Sequence, residues 1–266
     1  MTGLRVERNG AVAVLTLDRP QAANAIDVTL ARALMEAAIR CDEDPGVRCV
    51  LLTGSGRFFC AGGDVGSFGD AGERLPALLK EITAYLHAAI ARLARMDKPL
   101  VTAVNGPAAG AGIGLALLGD IALADPTAHF TLAYTAIGMS PDGGTSWLLP
   151  RLIGLRRAQE LCLRNTRVGA DEAATIGMVT RVTAPDALAT ESIALAHALV
   201  ASATSAIGAT RRLLLDAQTT PFEAHLDAEA RSIATQARTA EGREGIAAYL
   251  AKRKPDFPNA SIPGAR

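Results

Sequence analysis

The chain has 266 residues, 27 basic and 27 acidic side chains with no net charge, 49% hydrophobic residues and 20% charged ones. This composition belongs to a globular protein long enough to bury a sizeable core, and it excludes a disordered chain. The missing basic excess argues against a nucleic-acid binder, and an aromatic content of 4% argues against a base-stacking platform.

Val12 to Leu17 reads as a short strand closed by Asp18-Arg19-Pro20. Asp27 is placed to cap a helix in which Val28, Ala31, Met35, Ala38 and Ile39 share one face. Asp44-Pro45-Gly46 is a turn, and Arg48 to Thr53 is a strand stopped by Gly54-Ser55-Gly56. Leu75, Leu78, Leu79, Ile82, Leu86, Ala89 and Leu93 mark a long helix by their spacing of three and four. Leu100 to Val104 and Ile121 to Ala124 are further buried strands. The whole stretch from Leu100 to Ala124 is apolar and long enough for a membrane span. Gly106-Pro107 and four later glycines break it, so a strand, a tight turn and a buried helix are expected instead. This alternation predicts an α/β core. After about residue 185 the strand signals end. Helical patterns run through Leu188–Ala201, Ala203–Ala217, Pro221–Arg238 and Glu241–Lys252. The expected division is a core over 1–200 and a helical oligomerisation region over 201–266.

Cys41, Cys49, Cys60 and Cys162 show neither zinc spacing nor a disulfide framework. With an N-terminus lacking the apolar run of a signal peptide, they fit a reducing cytoplasm. His87, His129, His197 and His225 show no metal-ligand spacing, so no metal is expected and structural roles are. No P-loop, dinucleotide fingerprint or nucleophile elbow occurs.

Three glycine-rich segments remain: Cys60 to Asp64, Asn105 to Gly114, and Ser140 to Thr145. Each taken alone reads as a tight turn or a close-packed segment; three in one chain, two at strand–helix junctions, favour loops that aim backbone N–H groups at developing negative charge. Arg19-Pro20 with Asn24-Ala25, then Ala61-Gly62-Gly63-Asp64, then Asn105-Gly106 with its small-residue run and Asp120, then Tyr249 to Pro255, occur in a telling order. In these motifs the chain resembles the enoyl-CoA hydratase/isomerase, or crotonase, superfamily, from about residue 4 to 257.

The resemblance implies a spiral of ββα turns, a helical region that trimerises, and chemistry on an acyl-CoA thioester. CoA arrives with the substrate, so no separate cofactor is expected, and a homotrimer or dimer of trimers is, with neither nucleic acid nor membrane as partner. Matched motif to motif, the N–H groups of Gly63 and Ala111 would hold a thioester oxyanion, Ala111 at an expected helix start. Ala23, Ala25, Ala61, Val65 and Gly110 would line the CoA channel. Asp64 is expected mainly to hold the first loop. Lys252, beside Arg253 and Lys254, reads either as a solvated helix end or as a phosphate contact.

Family hydratases carry two glutamates where this chain has Gly114 and Tyr134. Without them the usual management of water lacks both its base and its acid. Asp142, in Pro141-Asp142-Gly143-Gly144, reads from its neighbours as a turn residue or a helix cap. The resemblance places at this position the acid/base carboxylate of family members that move a double bond. The expected function is acyl-CoA isomerisation. The alternatives are a hydratase with an atypical base and a weakly catalytic acyl-CoA-binding or RNA-associated member.

Overall fold

A computed structural model describes residues 2–260; Met1 and the last six residues of the expected 201–266 region lie outside it. The first strands, β1 (Leu4–Asn9) and β2 (Val12–Leu17), form an antiparallel hairpin. From β2 the sheet continues in parallel through β3 (Cys49–Gly54), β4 (Leu100–Val104), β6 (Ile121–Ala124) and β9 (Arg181–Val182). Strand alternation feeds two cores. Val50 and Leu52 point into the larger one, with α1 (Val28–Glu43) and α3 (Leu75–Arg95). Cys49 and Leu51 point into the smaller one, closed by α8 (Leu188–Val200). Asp27 caps α1 as expected, its side chain accepting from the Leu30 N–H. The buried face of α1 differs from the expected one. It is Leu30, Ala31, Ala33, Leu34, Ala37, Ala38 and Cys41, and Ile39 is exposed. Alanines on this face let α1 lie close along α3.

A second, smaller ladder builds the site. β5 (Ala108–Ala109) pairs in parallel with β7 (His129–Thr131), which pairs antiparallel with β8 (Val168–Gly169). Isolated bridges Cys60↔Ala108 and Ile26↔Gly63 extend this ladder toward the N-terminus. Successive turns of the chain thus give one strand to the large sheet and one step to the small ladder. This is a spiral of ββα units followed by helices, as the resemblance implies.

The remaining elements are α2 (Val65–Ala71), α4 (Ala111–Leu117), α5 (Thr145–Ile153), α6 (Leu155–Arg164), α7 (Ala170–Thr175) and the C-terminal helices α9 (Thr204–Asp216), α10 (Phe222–Ala237), α11 (Ala240–Leu250) and α12 (Phe257–Ala260). Two charge networks, each with one buried member, tie this C-terminal region to the core. Arg211 on α9 donates to Asp120 at 2.7 Å and to the carbonyls of Leu93, Met96 and Lys98. Arg48, just before β3, donates to Glu241 at 2.7 Å and to the carbonyls of Val200 and Ser202. α10 buries none of its residues, and Phe222, Ile233, Tyr249 and Leu250 are exposed. Among the described residues no single helix is long and apolar enough to cross a membrane.

Candidate active site

Consecutive steps of the small ladder bring two loops together. Ala61 N–H donates to the Ala23 carbonyl, Ile26 N–H to Gly62, and Ala109 N–H to Cys60. Gly62 has φ +90°, and a Cβ there would come within 2.8 Å of the Ala109 carbonyl oxygen. Only glycine permits both that torsion and that approach. The same imagined Cβ would lie 3.3 Å from the Ala111 nitrogen, so the segment carrying Gly63 runs beside the start of α4. Ala111 is the first residue of α4, where an N–H has no acceptor within the helix. Among the described residues neither the Gly63 N–H nor the Ala111 N–H has an acceptor.

Both face a cavity of about 310 Å³ that Asp142 also lines. Its polar end is formed by Gly63, Gly110, Ala111, Tyr134, Ser140 and Asp142. Its apolar walls come from Ala61, Val65, Phe68, Leu79, Leu132, Ile137 and Met139. A groove of about 610 Å³ on the other side of the large sheet, against α8, gathers none of these polar groups.

Asp142 sits on a turn in which Gly143 and Gly144 take φ of +59° and +75°, just before α5. The sequence is compatible with a turn residue, a cap or an acid/base at this position. Its carboxylate does not cap α5. It accepts instead from the buried Tyr134 hydroxyl, Oη to Oδ1 at 2.6 Å. Burial, and then the neighbouring Asp142 charge, hold the Tyr134 proton far above the usual 10.0, so Tyr134 acts as a donor. Gly143 packs on Ala111, its imagined Cβ 3.4 Å from the Ala111 carbonyl oxygen. The carboxylate turn and one of the free N–H donors are therefore direct neighbours. Gly114, in turn, faces the Gly143 carbonyl so closely that a Cβ would stand 2.1 Å away. The site can thus hold an oxyanion between two fixed donors and move a proton on one carboxylate beside it.

Of the residues singled out from the sequence, Gly63, Ala111, Asp142, Ala61, Val65 and Gly110 line this cavity. Ala23, Ala25, Asp64 and Lys252 do not. Ala23 and Ala25 flank the buried Asn24, whose amide donates to the carbonyls of Ser55, Phe58 and Phe59. Asp64 caps α2 by accepting from the Ser67 N–H and pairs with Arg19 at 3.2 Å. Lys252 follows α11 and is exposed. Sequence reasoning missed the contact of Tyr134 with Asp142, the wall residue Phe68, and His87, whose Nε2 accepts from the Gly143 N–H at 3.1 Å. A faint signal existed for His87. Leu79, Thr83 and His87 recur every four residues on α3, and the first two line the cavity.

The sequence profile described as enoyl-CoA hydratase/isomerase matches residues 7–260. A 1,2-epoxyphenylacetyl-CoA isomerase of Escherichia coli strain K12 is 38% identical over 247 residues, 92% of this chain and 94% of that protein. A 2,3-dehydroadipyl-CoA hydratase of the same organism is 34% identical over 97% of this chain and 99% of its own length. The crystal structure of an enoyl-CoA hydratase from Polaromonas sp. JS666 superimposes with a TM-score of 0.90 at 32% identity, covering 95% of this chain and 98% of that one. The chain belongs to the enoyl-CoA hydratase/isomerase family, with the fold of the crotonases. Its relatives carry both isomerase and hydratase names, so the choice of reaction rests on the residues of the cavity.

Proposed function

We propose that the protein is an acyl-CoA isomerase that shifts a double bond from the 3- to the 2-position of an enoyl-CoA or of a ring-containing analogue. The observation that carries this reading is the single carboxylate beside the two free backbone donors, with no second acid near it in the cavity lining. The Gly63 and Ala111 N–H groups hold the thioester oxygen. Asp142 takes a proton from C2. The electron pair moves into the C1–C2 bond, and the oxygen carries the charge between donors already in place. The protonated carboxyl returns its proton at C4, and the 3,4 double bond becomes a 2,3 double bond. Tyr134, donating to Oδ1, keeps one oxygen occupied and leaves the other to carry the proton.

Hydration needs a water held by a base and an acid for the α-carbon. Gly114 and Tyr134 supply neither carboxylate, and this supports isomerisation over addition of water. CoA enters as part of the substrate, and the protein needs no resident cofactor. The exposed apolar residues of α10 and α11 support assembly of the 201–266 region into a homotrimer or a dimer of trimers. The deciding experiment is a panel of 3-enoyl-CoA and 2-enoyl-CoA esters, linear and ring-bearing, with products identified by mass and NMR. Conversion of 3-enoyl esters without gain of water is the expected result. Hydration of crotonyl-CoA at the typical enzyme rate of about 10 s⁻¹ would replace this reading with that of a hydratase using an unusual base.

A further inference from the structure

We propose that His87 is a positioning residue for the proton-transfer step: its neutral imidazole anchors the Gly143 peptide and thereby aims the Asp142 carboxylate. The inference rests on the reading of Asp142 as the acid/base.

Asp142 is carried by a turn of unusual freedom. The two residues after it are consecutive left-handed glycines, each able to adopt many other torsions. Left to itself such a turn would spread the carboxylate over several orientations. Hydrogen bonds oppose this. Thr145 N–H closes the turn on the Asp142 carbonyl at 3.0 Å, the Tyr134 hydroxyl holds Oδ1, and Gly143 N–H donates to His87 Nε2 at 3.1 Å. The last ties the turn to α3, beside the packing of Gly143 on Ala111 and Gly114 of α4. α3 is fixed in the larger core by Ile82, Leu86, Ala89, Ile90 and Leu93, so His87 offers the turn a rigid external point. An N–H can donate to Nε2 only when that nitrogen bears no proton. The bond therefore specifies a neutral ring with its proton on Nδ1. A misaimed base loses rate rather than affinity, because the thioester is held by Gly63 and Ala111.

The test is made on the full-length protein. His87→Leu keeps bulk and removes the acceptor; His87→Gln restores an acceptor at a similar reach. His87→Leu is expected to lower kcat for a 3-enoyl-CoA by about tenfold to a hundredfold, with KM changed by no more than about twofold. His87→Gln is expected to recover most of the loss, with both variants melting near the wild type. In ring-¹⁵N-histidine spectra of the wild type, His87 is expected as the Nδ1–H tautomer. Full turnover in His87→Leu, failure of the glutamine to rescue it, or a proton on Nε2 would each overturn the proposal. Loss of turnover in Asp142→Asn together with full turnover in His87→Leu overturns this proposal alone. Full turnover in Asp142→Asn overturns the functional reading and this one with it. If His87→Leu does not fold, the glutamine variant and the tautomer still decide.

Discussion

A Cβ on Gly114 would stand 2.1 Å from the carbonyl oxygen of Gly143, so the turn bearing Asp142 occupies the space into which a side chain at 114 would grow. The hydratase glutamate position and the Asp142 turn exclude each other in this chain. Gly114→Glu is therefore expected to give no hydratase. It should lose isomerisation and lower stability by about 1–3 kcal/mol through overpacking. Crotonyl-CoA hydration, 3-enoyl-CoA turnover and a denaturant titration measure the three effects.

Asp142→Asn preserves shape and cannot take a proton as a carboxylate does. Isomerisation should fall at least about 10²-fold, or about 2.7 kcal/mol of barrier. Affinity for a non-reactive acyl-CoA should hardly change, and hydrogen–deuterium exchange at C2 should disappear along with turnover. Asp64→Asn is the control. Asparagine still caps α2, so this variant removes only the charge facing Arg19, and the effect should appear in the melting curve, at up to about 1 kcal/mol, more than in kcat.

Tyr134→Phe removes the donor that occupies Oδ1 of Asp142 and leaves the ring in the wall. A hydrogen bond to a charged partner contributes about 1.5–3 kcal/mol. Turnover is expected to fall about tenfold while affinity for a non-reactive acyl-CoA is kept. A variant with unchanged kcat would show that Asp142 is held well enough without it.

Stability should fall on the alkaline side. Burial pushes the thiols of Cys49 and Cys60 from the usual 9.0 up to about 12, and the Tyr134 hydroxyl higher still. In each case the folded state holds a proton that the unfolded chain has given up, so stability declines as pH rises above the unfolded value. Each buried thiol steepens the loss by up to about 1.4 kcal/mol per pH unit between 9 and 12. Cys60→Ala should flatten the curve in that range, as read by urea unfolding from pH 8 to 11. An unchanged slope would refute the assignment.

The C-terminal helices are fastened by charge. Arg211→Met would take the side-chain donor from three carbonyls and leave the solvent-accessible Asp120 with the Leu100 N–H alone, at a cost of about 1–3 kcal/mol. In light scattering the wild type is expected as a trimer or hexamer at micromolar concentration, and a chain ended near residue 200 should be insoluble. A stable wild-type monomer would contradict the proposed assembly.

The strongest sequence signals were the long ones. β2, β3, β4 and the helices α1, α3 and α8 to α11 follow from alternation, from three-to-four spacing and from the Asp27 cap. The small ladder did not announce itself, because β5 and β8 are two residues each and offer no period to read. The reason for Gly114 was equally hidden. In sequence it is a missing glutamate; in space it is a close approach to a carbonyl twenty-nine positions on. Backbone donors leave no side-chain trace, so Gly63 and Ala111 were reached only through the family motifs. The His87 contact with Gly143 joins residues separated by 56 positions and required the fold itself.

One wall of the cavity differs from the rest. α3 is pinned by its core side chains, whereas α2 contributes Val65 and Phe68 to the lining and buries none of its own residues. Gly66 and Gly69 lie within that helix, and Gly72 follows it. Shifting α2 outward would lift the half-buried Phe68 off the core, while shifting α3 would open the interior. The proposed acyl chamber thus has an elastic side and an inelastic one. Its stated volume is a resting size, and the bulk of the accepted acyl group is governed by the side that yields most cheaply.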